Sequence, residues 1–319
     1  MFSLLSLALF LQVAVQMGTH ILLGTLGGIM FEKAGNTNLG IEGMMLMGAS
    51  IGYLGGMVTG SPAVAVIAAG AAGMAGALIY AVITVTLRGN QVVTGLVLTS
   101  FGTGIAGFLG KLLTSRPLPV SVTEAFYHRP VPFLSGIPVI GPALFDQSPY
   151  VYFSVAAAVL LYVFYQHTRW GLNVRAVGEN PAAADASGIN VAWYKYINIL
   201  CGGVLCGLAG AYLSLVFVPR WQENMTAGAG WISVAFVIFS TWNPLKALAV
   251  SWAFGALKGL TFKCQNMVIA GHAVTVSGQL LDMVPYIATV IVLVCMSLRM
   301  RRENQSPASL GNSYFREER

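Results

Sequence analysis

Apolar residues in this chain come in long unbroken stretches, divided by short polar or glycine-rich segments. The first stretch runs from Phe2 to Phe31, interrupted only by Gln12, Gln16 and His20. A Gly- and Asn-rich break follows, from Glu32 to Gly40. Further stretches are Ile41 to Val58, Ala63 to Leu87, Gln91 to Leu113, Tyr150 to His167 and Tyr196 to Val218. Trp231 to Thr241 is shorter, and Leu245 to Leu260 and Met283 to Leu298 close the series. A helix needs about 20 apolar residues to cross a bilayer, so the pattern predicts an all-α membrane bundle of about nine spans. Continuous apolar stretches argue against an outer-membrane barrel, whose strands alternate. The stretch Trp231 to Thr241 is too short to cross alone. Lying between Gly228-Ala229-Gly230 and a helix start at Asn243-Pro244, it predicts a half-helix that turns inside the protein.

Local signals mark the joints. Ser61-Pro62 reads as an N-cap and first helical residue. Gly35 can end the first helix, Thr37 or Asn38 can cap the second, and Glu42 sits favourably in its first turn. Broken backbone beside a membrane helix has to face protein or water, because lipid cannot satisfy it. The segment Gly35 to Gly43 is therefore either part of a transport pathway or an ordinary polar loop. The segment 114–148 holds Pro117, Pro119, Pro130, Pro132 and Pro138, which argues against a helix running through it. In the loop 168–194, Asn180 is an N-cap, Pro181 a first helical residue and Gly188 a terminator. They frame a two-turn helix too polar for lipid and too short to hold itself, either a docking element for a soluble partner or a rigid connector. Glycines recur at helical spacing, as in Gly24-Gly27-Gly28, Gly70-Gly73-Gly76 and Gly203-Gly207-Gly210, and predict close helix packing. A loose echo of Gly40-Ile41-Glu42-Gly43 in Gly228-Ala229-Gly230 hints at internal duplication.

Composition agrees. Of 319 residues, 56% are hydrophobic and only 9% charged, against roughly 25% charged in a soluble domain. So few charges cannot cover a soluble surface, which excludes a soluble enzyme, a secreted disulfide scaffold and a disordered chain. The net charge is +6, but the basic residues mostly flank apolar stretches, as orientation signals do. No basic stripe with interleaved aromatics points to nucleic acid. Arg299, Arg301 and Arg302 place the C-terminus in the cytoplasm. Alternation then puts the loop 168–194, with Arg169 and Arg175, and Arg88 on the same side. The loop 114–148 and the N-terminus fall outside, although Arg116 and Arg129 lie there against the bias. The N-terminus has no basic leader or clear cleavage site and reads as a first membrane helix. The tail beyond Arg299 is polar and basic and is expected to fray.

Catalytic chemistry is not indicated. There is no HExxH or GxSxG, and Gly110-Lys111 lacks the preceding glycine of a P-loop. The histidines His20, His128, His167 and His272 are scattered, and Cys201, Cys206, Cys264 and Cys295 have no His or Asp beside them. No catalytic residue, metal ligand or cofactor of its own is assigned to this chain.

Longer motifs go further. Glu32-Lys33-Ala34-Gly35 with Asn38 to Ala49 resembles the signature of ABC importer permeases for nucleosides and simple sugars, relatives of the ribose and branched-chain amino acid permeases. Asn90 to Leu96, Arg175 to Pro181, Ala184-Asp185, Gly188 to Val191, Gly203 to Leu213, Gly230-Trp231-Ile232 and Trp242-Asn243-Pro244 are similar to that family as well. The resemblance covers nearly the whole chain from the first break to the last span. It implies a permease domain over 1–299 and a cytoplasmic tail over 300–319, in the bacterial cytoplasmic (inner) membrane. Implied partners are a second homologous permease, cytoplasmic ATP-binding subunits that consume the ATP, a periplasmic or lipid-anchored solute-binding protein, and membrane lipid. The family's coupling helix would fall on Arg175, Gly178, Glu179, Asn180, Pro181, Ala184, Asp185 and Gly188. Pathway candidates are Asn38, Glu42, Gly43, Gln91, Gly230, Trp231 and Asn243. The chain departs from the family at Ala229, where Arg is usual, at Lys33, often Arg, and at Asn36 and Thr37, usually apolar. The rival reading is an ion- or proton-coupled secondary transporter, which calls for intramembrane carboxylates that are scarce here.

Overall fold

The computed structural model describes residues 4–114, 116–264, 266–269, 272–275, 278–298 and 305–315. Arg299, Arg301 and Arg302 lie outside the described residues. The described residues form a helix bundle with two small antiparallel ribbons. The helices are α1 (Leu4–Lys33), α2 (Ile41–Thr59), α3 (Pro62–Ala81), α4 (Gln91–Leu113), α5 (Val120–Ala125), α6 (Ile140–Phe145), α7 (Pro149–His167), α8 (Arg169–Glu179), α9 (Pro181–Ala186), α10 (Val191–Tyr212), α11 (Ala229–Phe239), α12 (Pro244–Cys264) and α13 (Gly278–Leu298). Single π-helical turns extend α3 over Val82–Thr86 and α10 over Leu213–Phe217. The ribbons pair β1 (Arg129–Pro130) with β2 (Asp146–Gln147), and β3 (Asn266–Ile269) with β4 (His272–Thr275). Among the described residues, six helices are long and apolar enough to cross a membrane: α1, α2, α3, α4, α7 and α10.

Helix α10 is the centre. It packs on α1, α2 and α3, and most of its side chains are buried. The glycine stripes make this possible. A Cβ on Gly73 would lie 2.1 Å from the Gly203 carbonyl, and one on Gly48 would lie 2.1 Å from that of Gly207. Only backbones without side chains approach so closely, and in lipid that approach is what holds helices together. Helix α4 is the opposite case. It buries Gln91, Gly95, Leu98, Gly102, Ala106, Gly110 and Leu113 along one stripe and leaves most of the opposite face exposed.

Several joints differ from expectation. Helix α2 is capped by Gly40, without a side-chain bond, rather than by Thr37 or Asn38. The Asn38 side chain instead accepts from the Gly40 N–H at 2.7 Å and shapes the turn before the helix. Ser61 stands at the N-cap of α3 with Pro62 behind it, but its side chain makes no capping bond. The proline-rich segment holds two six-residue helices, α5 and α6, and no longer one. The loop 168–194 is mostly helical. Thr168 caps α8 by accepting from the Gly171 N–H at 3.0 Å, and Asn190 starts α10 early by accepting from the Trp193 N–H at 3.0 Å. Residues 305–315, expected to fray, fold back onto the end of the bundle that carries α8 and α9. Ser309 is buried there.

Candidate functional site

Two arrangements stand out. The first holds the half-helix α11. This helix begins at the buried pair Ala229 and Gly230, after the loop 218–228, so the first N–H groups there need partners within the protein. Glu42 serves them. One carboxylate oxygen accepts from the Thr226 hydroxyl at 2.5 Å and the Gly228 N–H at 2.9 Å, and the other accepts from the Gly230 N–H at 2.6 Å. Glu42 is 5% exposed and also stands in the first turn of α2, so one carboxylate faces the positive ends of two helices. Gly228 takes the left-handed conformation, with φ +83°. A Cβ on Gly230 would sit 2.4 Å from the Glu42 backbone, so the two segments touch main chain to main chain. The residues of the weak sequence echo thus meet in space. Ala229, where Arg is usual in the family it resembles, is buried here, and among the described residues Thr226, Gly228 and Gly230 serve the neighbouring carboxylate.

The far end of α11 has its own carboxylate. Glu32, in the last turn of α1, accepts from the indole N–H of Trp242 at 2.6 Å. Asn243 then starts α12, its side chain accepting from the Leu245 N–H at 2.9 Å. Gly43 packs against α4, where a Cβ on Gly102 would lie 2.3 Å from the Gly43 carbonyl. Gln91 accepts from the Thr37 N–H at 2.8 Å and closes the break against α4. Asn38 is buried, and its amide nitrogen has no partner among the described residues. Of the pathway candidates, Glu42, Gly43 and Gly230 come together, Asn38 and Gln91 line the nearby break, Asn243 is spent on a cap, and Trp231 is exposed.

The second arrangement is the α8–α9 module. Asn180 caps α9, accepting from the Ala183 N–H at 3.0 Å, and Pro181 follows it. Gly188, at φ +83°, ends the helix as its position predicts, and its N–H donates to the Asp185 carbonyl at 3.0 Å. The eight coupling candidates divide by role. Ala184 is buried with Val177 and Val191. Gly178 lies so close to α1 that a Cβ would sit 2.2 Å from the Lys33 carbonyl. Arg175 is partly buried on α8. Glu179 accepts from the Ala308 N–H at 3.2 Å, and Asp185 from the Tyr314 hydroxyl at 2.8 Å. The Ser309 N–H and hydroxyl both donate to the Gly178 carbonyl, at 3.0 and 2.5 Å. Outward lie Ala182, Ala183, Ala186, Ser187 and Gly188.

The model of the branched-chain amino acid transport system / permease component family matches residues 9–295. The chain belongs to this permease family. It is 34% identical to a protein assigned as a glucose ABC transporter permease, TsgC13, of Haloferax volcanii, over 96% of this chain and 97% of that one. It is 33% identical to the nucleoside ABC transporter permease NupC of Lactococcus lactis, over 86% and 88% of the two chains. It is 29% identical to the guanosine ABC transporter permease NupQ of Bacillus subtilis, over 90% and 91%. The resemblance carried by the motifs is met, and the chain is a multi-pass permease of the cytoplasmic membrane.

In this permease, sequence reasoning missed Thr226, Trp242 as a partner of Glu32, Lys195, helix α8 and the folded-back tail. Helix α8 had a legible signal. Gly171, Val174, Val177 and Gly178 recur at helical spacing and form its buried face. The tail had a fainter one, since Leu310 and Phe315 are apolar within a segment read as simply polar and basic. Thr226 had none, and Trp242 and Glu32 each stood in a family-like motif with nothing to pair the two.

Proposed function

We propose that this chain is the membrane permease of an ATP-driven ABC importer that moves nucleosides or related simple sugars into the cell. The names of the relatives TsgC13, NupC and NupQ support that solute class. The observation that carries the coupling role is the α8–α9 module. It offers a small, capped, alanine-faced helix on one side and is tied to α1 and the tail on the other. In this reading α9 docks on a cytoplasmic ATP-binding subunit. The end with α9 and the α1–α2 break faces the cytoplasm, and the end with α5 and α6 faces outward, where a solute-binding protein delivers solute. The chain then crosses about nine times, with the loop 218–228 and α11 together making one crossing. A second permease packs on the bare face of α4. Gly104 and Gly107, exposed there with nothing within 4 Å, favour that placement.

ATP-driven closure of the partner subunits pushes α9. The contact of Gly178 with Lys33 passes the displacement to the last turn of α1. Glu32 and Trp242 carry it to the end of α11, and Glu42 holds the other end of that half-helix to α2. The bundle then turns from outward- to inward-facing around α11, with Asn38 and the break lining the path. A proton-coupled transporter needs a carboxylate free to exchange its proton with the path. Glu32 and Glu42 already accept hydrogen bonds from Trp242 and from the start of α11.

The test is Ala186→Arg, which puts a bulky charge on the exposed face of α9 and touches nothing in the core. ATPase co-purification and uptake of labelled guanosine or glucose should both fall to background, with thermal stability unchanged. Retained ATPase and full uptake would overturn the assignment of α9.

A further inference from the structure

Beside α9 lies a cleft of about 370 Å³. Its walls are the end of α3 and the turn after it, the terminator of α9, the first turns of α10, and Tyr314 from the folded-back tail. Lys195 enters it from α10. This lysine is 3% exposed as a residue and lines the cleft, so its ammonium opens onto that space and not onto bulk solvent. Burying an ammonium without an anion is costly, so such a group is usually matched by one. A second cation stands at the same wall. Arg88 adopts φ +56°, a strained conformation for a residue with a side chain. The tail holds it there. The Ser313 hydroxyl donates to the Arg88 carbonyl at 3.4 Å, and the guanidinium lies 4.8 Å over the Phe315 ring. The N-terminus of the 22-residue α10 faces the same space through Asn190, Val191 and Ala192 and adds the positive end of a helix dipole. Among the described residues the carboxylate at the rim is Asp185, which accepts from the Tyr314 hydroxyl.

We propose that this cleft binds a phosphate group, carried either by a small phosphorylated metabolite or by an anionic lipid headgroup. The forked guanidinium, the point charge of an ammonium and a helix N-terminus are the donor types that surround a tetrahedral dianion. The volume exceeds that of a bare ion and leaves room for a sugar attached to it. A phosphate seated here bridges α3 and α10 and lies against the clasp between Tyr314 and Asp185. Occupancy therefore stiffens the tail against α9. Any effect of that on coupling rests on the importer reading, but the binding itself does not.

The test uses the full chain in phosphatidylcholine nanodiscs, without ATPase, so that its failure is separate from failure of the importer reading. Ribose 5-phosphate is titrated by calorimetry, with ribose as the control. Saturable binding of the phosphate ester but not the sugar is expected. Lys195→Met and Arg88→Gln should each weaken it by about tenfold or more, and Lys195→Arg should retain it, showing that the fold survives change at this position. In nanodiscs containing phosphatidylglycerol, unchanged ester affinity assigns the cleft to a soluble phosphate. Lost ester affinity, with phosphatidylglycerol retained by the wild type and not by Lys195→Met, assigns it to the lipid headgroup. Absence of both ester and lipid binding, or ester affinity unaffected by Lys195→Met, overturns the proposal. A cleft reserved for a carboxylate of a protein partner would give the first of those results.

Discussion

The half-helix α11 and the surface helix α9 are both short, and both begin with N–H groups that no helix of their own can satisfy. They meet the need by different means. Helix α9 sits at the end of the bundle and uses a residue of its own chain segment, the Asn180 cap. Helix α11 starts inside the bundle and borrows Glu42 from the first turn of a helix far away in sequence. A neutral cap suffices where water shares the work. Where water is excluded, a charged acceptor serves several donors at once, because each unsatisfied N–H costs far more there. The same contrast holds at the other ends. Gly188 terminates α9 locally, whereas the end of α11 is secured through Trp242 to Glu32.

The comparison breaks most sharply at Glu42. Glu42→Gln places an amide N–H against one of the donors that the carboxylate accepts, and should cost roughly 3 kcal/mol of stability. Thermal unfolding in detergent should show a large fall, and transport should be lost even in the fraction that remains folded. A Gln variant with wild-type unfolding and uptake would mean that α11 does not depend on this carboxylate. The effect at the other end should be smaller. Trp242→Phe keeps the ring and removes one hydrogen bond to a buried carboxylate, at about 1.5–3 kcal/mol, and the same thermal assay checks it. The smallest effect belongs to α9. Asn180→Ala removes an exposed cap worth about 1 kcal/mol. It should leave the unfolding of the bundle unchanged while limited proteolysis near 180–188 quickens. If Asn180→Ala instead lowers the unfolding temperature as much as Trp242→Phe does, the surface module is not separable from the bundle and the contrast fails.

Legibility in the sequence follows the range of each interaction. The apolar stretches, the break after Gly35, the Asn180-Pro181 start, the Gly188 stop, the Asn243 cap and the half-length of α11 are set by residues within a turn of one another. Each could be read from types and spacing, and each is present in the structure. The glycine stripes announced close packing without naming partners, which turned out to be backbone pairs such as Gly73 with Gly203. Helix α8 carries its signal in the spacing of Gly171, Val174, Val177 and Gly178, diluted by the polar residues between them. The clasp of the tail on α8 and α9 was not readable. Its bonds join residues 129 to 132 positions apart, and several use backbone carbonyls that carry no residue signature.

By itself the sequence determined that the chain lives in a bilayer, where several of its helices start or stop, and which family it joins, because solvent preference and capping are local properties of residue types. Tertiary structure decided what Glu42 does. As a residue, it is only an acidic side chain in a favourable first turn. Its partners lie 184 to 188 positions away, and only packing that brings the start of α11 main chain to main chain against α2 turns that carboxylate into the anchor of a half-helix.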